Sequence, residues 1–82
     1  MTIFEFIQPI KDKGFIRYRI FDSQTNDIIG LRDSDGEMQY SFDAELLLAS
    51  KYACVDIEKI NFNIEGETVY AELEIDTGCL GR

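Results

Sequence analysis

Alternation of apolar and polar side chains in residues 68–76, TVYAELEID, constrains the fold more than any other feature. Successive side chains of a strand point to opposite faces, so this segment predicts a strand with one buried face and one solvent-exposed face. The apolar face carries Val69, Ala71, Leu73 and Ile75. The other face carries Thr68, Tyr70, Glu72, Glu74 and Asp76. Such a strand is typical of an antiparallel sheet that is covered on one side.

The residues before this strand predict its hairpin partner. Segment 54–64 is rich in apolar and β-branched residues, and Glu65-Gly66 reads as the turn. Counting outward from that turn predicts three opposed pairs: Phe62 with Val69, Ile60 with Ala71, and Lys59 with Glu72.

The first half of the chain predicts four more strands. The segment TIFEFIQ, residues 2–8, is rich in β-branched and aromatic residues and predicts a strand that ends at Pro9. Residues 14–22 alternate, with Ile16, Tyr18 and Ile20 on one face. A loop at 23–27 leads to a third strand at 28–34, and a fourth follows the stretch DSDGE.

The stretch DSDGE, residues 33–37, predicts a turn and not a calcium loop. With Gly36 at the sixth position of such a loop, Leu31 and Phe42 would occupy the first and twelfth positions, where calcium needs oxygen ligands. A two-residue turn at Asp35-Gly36 instead sets three pairs opposite each other: Leu31 with Tyr40, Ile29 with Phe42, and Arg32 with Gln39.

Helical spacing appears after these strands. Ala44, Leu47, Leu48 and Tyr52 predict a helix at about 43–53, with Ser41 or Asp43 as its N-cap. The order ββββ-α-ββ predicts an α+β fold: an antiparallel sheet of five to six strands with one helix packed on one face. The length of 82 residues predicts a single domain over residues 1–82.

The sequence offers little catalytic chemistry. It contains no histidine, and its six glycines form neither a phosphate loop nor a dinucleotide fingerprint. We therefore expect a protein that is not an enzyme, without catalytic, cofactor-binding or metal-binding residues. Cys54 and Cys79 read as free thiols, with a disulfide between them left open; Cys54 is expected in the core and Cys79 in an accessible tail.

The charge balance favours a basic protein partner. Sixteen acidic and eight basic side chains give a formal charge of −8, which opposes direct binding to nucleic acid. Residues 33–82 contribute twelve of those acids against three basic residues. No apolar run is long enough to span a membrane, and the first ten residues lack the pattern of a signal peptide, so the expected location is the cytoplasm.

Three arginines form a second candidate cluster. In the predicted register, Arg17, Arg19 and Arg32 lie on the outer sheet face beside Phe15, Phe21 and Ile28. Arginines among aromatic residues can bind single-stranded nucleic acid, but here pairing with the chain's own surplus acids is the simpler interpretation. The apolar members of the cluster also suggest a surface for a homodimer or another partner.

The leading functional hypothesis is an acidic, non-enzymatic protein-binding domain, an inhibitor or antagonist that docks on a basic surface of a larger protein, such as a nucleic-acid-binding surface. The predicted contact residues are Asp33, Asp35, Glu37, Glu72, Glu74 and Asp76. Phage anti-CRISPR and anti-restriction proteins and toxin-immunity proteins fit this outline by size and charge, not by a motif. The alternative is a structural or assembly domain that homo-oligomerises or joins a complex through an apolar sheet face or an open sheet edge.

Overall fold

In the computed structural model, residues 1–13 and 16–80 are described, without the side chains of Cys79 and Leu80. These residues form two short helices, α1 (Ile3–Ile7) and α2 (Ala44–Leu48). They also form six strands: β1 (Ile16–Asp22), β2 (Ile28–Ile29), β3 (Leu31–Arg32), β4 (Met38–Gln39), β5 (Ile57–Glu65) and β6 (Thr68–Ile75). Segments of 3₁₀-helix follow at Gln8–Lys13, Lys51–Cys54 and Thr77–Leu80. The fold class is α+β.

The main sheet is mixed, which corrects the prediction of an antiparallel sheet of five to six strands. Its four strands lie in the order β2-β1-β6-β5, and β3 and β4 form a separate two-stranded sheet. Strand β6 is antiparallel to β5 but parallel to β1. Parallel neighbours need a long crossover, and the connection between β1 and β6, which contains α2, supplies it.

The first segment is a helix, so the prediction of a strand at residues 2–8 was wrong. Thr2 and Glu5 form a capping box: the Glu5 backbone N–H donates to Thr2 Oγ1 at 3.1 Å, and the Thr2 N–H donates to Glu5 Oε1 at 3.0 Å. Ile3 and Ile7 lie one turn apart and are both fully buried. Their burial in the core stabilises the helix despite its β-branched residues.

The predicted third strand is divided at Gly30 into β2, which pairs with β1, and β3, which pairs with β4. A Cβ atom at Gly30 would lie 2.5 Å from Met38 Sδ and 2.9 Å from Tyr40 Cε1. Only a glycine lets these two side chains lie so close to the backbone at this point.

The turn at DSDGE is confirmed, but its register differs by one residue from the prediction. The Asp33 N–H donates to Glu37 O and the Gly36 N–H donates to Asp33 O, each at 3.0 Å. The loop therefore has three residues, ending at Gly36 with φ of +83°. The observed pairs are Leu31 with Gln39 and Arg32 with Met38. Because a shift by one residue exchanges the two faces of a strand, Tyr40 is not opposite Leu31 as predicted.

The β5–β6 hairpin is also confirmed, with its turn at Gly66-Glu67 and not at Glu65-Gly66. Gly66 has φ of +64°, the backbone region that a glycine adopts without strain. The observed pairs are Phe62 with Ala71, Ile60 with Leu73, and Lys59 with Glu74. The shift is by two residues, so every side chain stays on its predicted face.

The second helix begins at the predicted N-cap, Asp43, whose carboxylate accepts from the Leu46 N–H at 2.9 Å. The predicted helix at 43–53 is interrupted at Ser50, whose hydroxyl donates to Leu47 O and accepts from the Tyr52 N–H. Cys54 follows at the end of the next 3₁₀ turn and is exposed, so the prediction that it lies in the core was wrong. The Cys79 side chain lies outside the described residues.

The core fills the space between the helices and the inner face of the main sheet, the face that carries Tyr18 and Leu73. Its buried members are Ile3, Ile7, Tyr18, Ile20, Phe42, Ala44, Leu47, Val55, Ala71, Leu73 and Ile75. These include most of the predicted apolar faces of β1 and β6; the exceptions are Ile16 and Val69, which are half-buried. No helix in the described part of the chain is long and apolar enough to cross a membrane.

A buried carboxylate joins the ends of β1 and β6. Asp22 Oδ2 accepts from the Thr25 backbone N–H at 3.1 Å and hydroxyl at 2.8 Å. Asp22 Oδ1 accepts from the Thr77 N–H at 3.1 Å and hydroxyl at 3.0 Å. These hydrogen bonds, led by that from the Thr77 backbone, lower the pKa of Asp22 to about 2.

Candidate binding surface

The six carboxylates predicted to bind a partner occupy three separate places. Asp33, Asp35 and Glu37 lie at the tip of the β3–β4 hairpin. Glu72 and Glu74 lie on the outer face of the main sheet, which is the face opposite the core, and Asp76 follows the end of β6. The fold therefore does not join them into one continuous acidic strip.

The Asp33 carboxylate accepts hydrogen bonds within its own hairpin. Its Oδ1 accepts from the backbone N–H groups of Asp35 at 2.9 Å and Glu37 at 3.0 Å, and its Oδ2 accepts from Gln39 Nε2 at 3.0 Å. The hydrogen bond from the Glu37 backbone is the main reason that the pKa of Asp33 is lowered. Asp35 and Glu37 are exposed. The hairpin tip thus presents two carboxylates to a partner and not three.

Glu72 lies beside an arginine that neutralises part of its charge. Arg19 Nη1 lies 3.6 Å from Glu72 Oε2 and 2.7 Å from Glu65 Oε2. The Arg19 guanidinium also stacks 3.7 Å from the centre of the Tyr70 ring. The hydrogen bond from Arg19 is the main reason that the pKa of Glu65 is lowered. Glu72 is half-buried within this network, which reduces its value as a free docking charge.

The last two predicted acids differ in their surroundings. Glu74 is half-buried, and no hydrogen bond or ion pair reaches its carboxylate from the described residues. Asp76 is exposed, and its Oδ1 accepts from the Gly78 N–H at 2.9 Å. Glu74 is therefore the member of the Glu72, Glu74, Asp76 set with an unused carboxylate on the sheet face.

The predicted arginine cluster is divided by the fold. Arg17 lies on β1 and donates from Nε to Ser41 Oγ at 3.2 Å. Arg32 lies in the two-stranded sheet and donates to Gly36 O at 2.8 Å. Within residues 1–13 and 16–80, only Arg19 of the three makes the expected ion pairs with acids. Phe15, the first aromatic member of the predicted cluster, lies outside the described residues.

An open groove lies between the outer face of the main sheet and the residues around β4. Its volume is about 460 Å³. The residues that line it are Arg19, Phe21, Ile28, Met38, Gln39, Tyr40 and Ser41. Three of its apolar side chains are strongly exposed: Ile28 by 42%, Met38 by 40% and Tyr40 by 50%. We call this feature the outer groove.

A smaller hollow of about 180 Å³ adjoins the outer groove, and Phe21 lines both. Its other residues are Asn26, Asn61, Glu72 and Glu74. The register explains the arrangement, because Phe21 lies between Ile28 on β2 and Glu74 on β6. The outer sheet face therefore changes from apolar at the outer groove to acidic at this hollow.

Of the exposed apolar residues of the outer groove, Ile28 was placed on the outer sheet face from the sequence, whereas Met38 and Tyr40 were not. The two-residue turn placed Tyr40 opposite Leu31 on the apolar face, whereas the observed three-residue loop leaves Met38 and Tyr40 at the surface. A signal for the correct loop exists, since Asp at the first and Gly at the fourth position of Asp33–Gly36 is typical of a type I turn. A change of one residue in the length of the β3–β4 loop therefore changes which side chains are exposed to a partner.

A third hollow, of about 490 Å³, lies at the other side of the β3–β4 sheet, where it meets α2. Leu31, Arg32, Leu46, Ala49, Ser50 and Lys51 line it. Its two charged side chains are basic, and it includes none of the predicted contact residues. Within residues 1–13 and 16–80, no three side chains of Cys, Asp or Glu are grouped as metal ligands.

Comparison with protein-family models, with curated proteins and with solved structures gives no match for this chain. Its function must therefore be argued from its own surfaces.

Proposed function

We propose that this chain is a protein-binding domain whose outer groove receives a segment of a larger protein that carries both apolar and basic side chains. The observation that supports this proposal best is the exposure of Ile28, Met38 and Tyr40 around one concave surface. Single exposed apolar residues are ordinary, but a concave cluster of them on a small domain is typical of a docking site.

The charge around the outer groove supports a basic partner. No acid lines the outer groove itself among the described residues, but the adjoining hollow is lined by two, Glu72 and Glu74. Glu74 adds an unused carboxylate in the adjoining hollow. Among the described residues, Arg19 is the only cation that lines either feature, and it is already paired with Glu65 and Glu72. A bound segment would therefore place its apolar side chains in the outer groove and a basic side chain at the adjoining acidic hollow, as in complexes with electrostatic complementarity.

This proposal keeps the predicted basic partner and changes the predicted contact residues. Glu37 and Glu74 remain candidate contacts, whereas Asp33 and Glu72 have internal hydrogen-bond or ion-pair roles. An inhibitor or antagonist of a larger protein is the role that we propose for such a domain, because a compact acidic surface can occupy a basic groove on its target. The chain's formal charge of −8 would also accelerate association at low salt.

Selection from a library of displayed random peptides, with this domain as the bait, tests the proposal. We expect the enriched peptides to combine arginine or lysine with aromatic or aliphatic residues. Their affinity should fall about tenfold or more in Tyr40→Ala, which removes an exposed aromatic contact, and it should fall as ionic strength rises.

The matched control is Phe4→Ala, which removes an aromatic side chain of similar exposure, 48% against 50% for Tyr40, from α1 and not from the outer groove. Enrichment of acidic peptides, or equal binding by Tyr40→Ala and the unchanged domain, would contradict the proposal. Circular dichroism of both variants confirms that each is folded before binding is compared.

A further inference from the structure

Strand β5 leaves a long open edge on the main sheet. It is the last strand in the order β2-β1-β6-β5 and has nine residues, Ile57–Glu65. The opposite edge is formed by the two residues of β2 and by a bridge between Tyr18 and Phe42. Only β5 therefore offers a long row of edge backbone groups within the described sheet. Edges of this kind pair readily with another strand.

The hairpin turn shows which backbone groups of β5 face away from β6. Glu65 and Thr68 flank a two-residue turn, so they exchange hydrogen bonds with each other. Hydrogen-bonded pairs alternate along an antiparallel ladder, and the groups of Ile60, Phe62 and Ile64 consequently point to the open edge. The start of β5 is covered, because the Ile57 N–H donates to Met1 O at 2.8 Å. The open part is thus residues 58–65.

The same part of β5 exposes apolar side chains. Phe62 is 61% exposed and Ile64 is 71% exposed, although both lie on the inner face of the sheet. The Phe62 ring makes a tilted contact with the ring of Phe6 on α1, with the ring centres 6.5 Å apart, yet most of its surface stays exposed. Free backbone groups and uncovered apolar side chains therefore belong to the same residues.

The sequence of the open edge is complementary to itself. Residues 59–65 read KINFNIE, so the five residues around Phe62 are the same in both directions and the two ends carry opposite charges. We propose that a second copy of this chain pairs antiparallel with β5 about a two-fold axis at Phe62. Phe62 then lies opposite Phe62 of the second copy, Ile60 opposite Ile64, Asn61 opposite Asn63, and Lys59 opposite Glu65.

This register is better than its neighbours on three counts. First, it sets the residues whose backbone groups face the open edge opposite the same residues of the second copy, so that these groups can form hydrogen bonds. Second, it places apolar side chains opposite each other. Third, it creates two cross-strand ion pairs. A shift by two residues in one direction sets Ile64 against Glu58, and in the other direction it sets Ile60 against the turn residue Gly66. Glu65 can accept Lys59 of the second copy because its side chain is still 49% exposed beside Arg19.

The dimer would form one continuous sheet of eight strands from two main sheets of four. A two-fold axis perpendicular to the sheet leaves the outer faces of both copies on the same side. Two outer grooves would then face the same direction, which allows a partner with two sites to bind both at once. The dimer itself does not depend on the function proposed for the outer groove.

Charge reversal at the ends of the edge gives a sharp test by sedimentation equilibrium. The unchanged chain should sediment at twice its monomer mass of 9.4 kDa. Lys59→Glu alone and Glu65→Lys alone should each weaken the dimer by about tenfold to a hundredfold, because each places like charges opposite each other twice. A mixture of the two variants should form a heterodimer, since both opposed pairs regain opposite charges.

Two further variants separate the dimer edge from the outer groove. Phe62→Glu should be monomeric and folded, because it places two carboxylates on the axis and its side chain is exposed in the monomer. Tyr40→Ala should remain dimeric. A monomeric unchanged chain, a dimer that survives Phe62→Glu, or the lack of a heterodimer in the mixture would each overturn the proposal.

Discussion

Replacement of Leu73 by alanine tests whether the core packs against the inner sheet face at β6 more closely than at the end of β5. Leu73 is fully buried on the central strand β6, between Ile20 on β1 and Ile60 on β5. Loss of about three buried carbon atoms removes about 2.4 kcal/mol of transfer free energy at about 0.8 kcal/mol each. The cavity left between two strands raises the expected loss of unfolding free energy to about 3–4 kcal/mol.

Ile64→Ala is the matched control for this prediction. Ile64 lies on the same face of the neighbouring strand but is 71% exposed, so less than a third of its transfer free energy is gained on folding. We expect this variant to lose only about 0.7 kcal/mol. For a chain of 82 residues, 1 kcal/mol corresponds to about 6 °C in Tm. The two variants should therefore differ by about 15 °C in Tm.

Thermal unfolding followed by circular dichroism measures both variants, at dilutions where Tm no longer depends on protein concentration. This condition removes any contribution of self-association at β5 from the comparison. Equal losses in Leu73→Ala and Ile64→Ala would refute the reasoning, because they would mean that the helices cover the whole inner face evenly.

Three further predictions concern the amino-terminal helix, the buried carboxylate and the division between β2 and β3. Thr2→Ala should lower the unfolding free energy by about 1 kcal/mol in urea denaturation, and no change would argue against the capping box. The pKa of Asp22 is about 2, below its ordinary 3.8, so this carboxylate stabilises the fold above about pH 4 and loses that contribution as pH falls through about 2. Asp22→Asn should flatten the dependence of the urea midpoint on pH in that window, and an unchanged slope would contradict the assignment. Gly30→Ala should lose about 1–3 kcal/mol in thermal unfolding, because its Cβ would lie 2.5 Å from Met38 Sδ; a neutral effect would show that Met38 has room to move.

The faces of β1 and β6 could be predicted because the burial of alternate residues is a local pattern. Tyr18, Ile20, Leu73 and Ile75 are all buried as expected. Alternation does not identify which strand lies alongside, and the parallel pairing of β1 with β6 depends on the path of the long connection between them. The prediction therefore succeeded for the faces of both strands and for the β5–β6 pairing, but not for the parallel pairing of β1 with β6.

The amino-terminal helix shows a second limit of periodicity. Ile3 and Ile7 are four positions apart, so they share one face both in a strand and in a helix. The apolar pattern of a five-residue segment cannot distinguish the two structures. Thr2 and Glu5, at the spacing of a capping box, carry the signal that does distinguish them.

The candidate surface was predictable in its charge and in two of its apolar residues, Phe21 and Ile28, but not in the rest of its lining. The excess of acids is a property of composition, whereas their availability depends on contacts between distant parts of the chain. Arg19 and Glu65 are 46 positions apart, and their ion pair brings the neighbouring Glu72 into an internal network. The exposure of Met38 and Tyr40 in the outer groove depends on the length of the β3–β4 loop, which is one residue longer than the prediction.

Nuclear magnetic resonance mapping of the outer groove tests the proposed function most directly. A peptide enriched in the selection experiment would be titrated into isotopically labelled protein, and the amide shifts of each residue would be followed. The proposal predicts the largest shifts at Phe21, Ile28 and residues 38–41, which line the outer groove. Shifts confined to the hairpin tip at 33–37, to the edge of β5 or to the hollow beside α2 would contradict it.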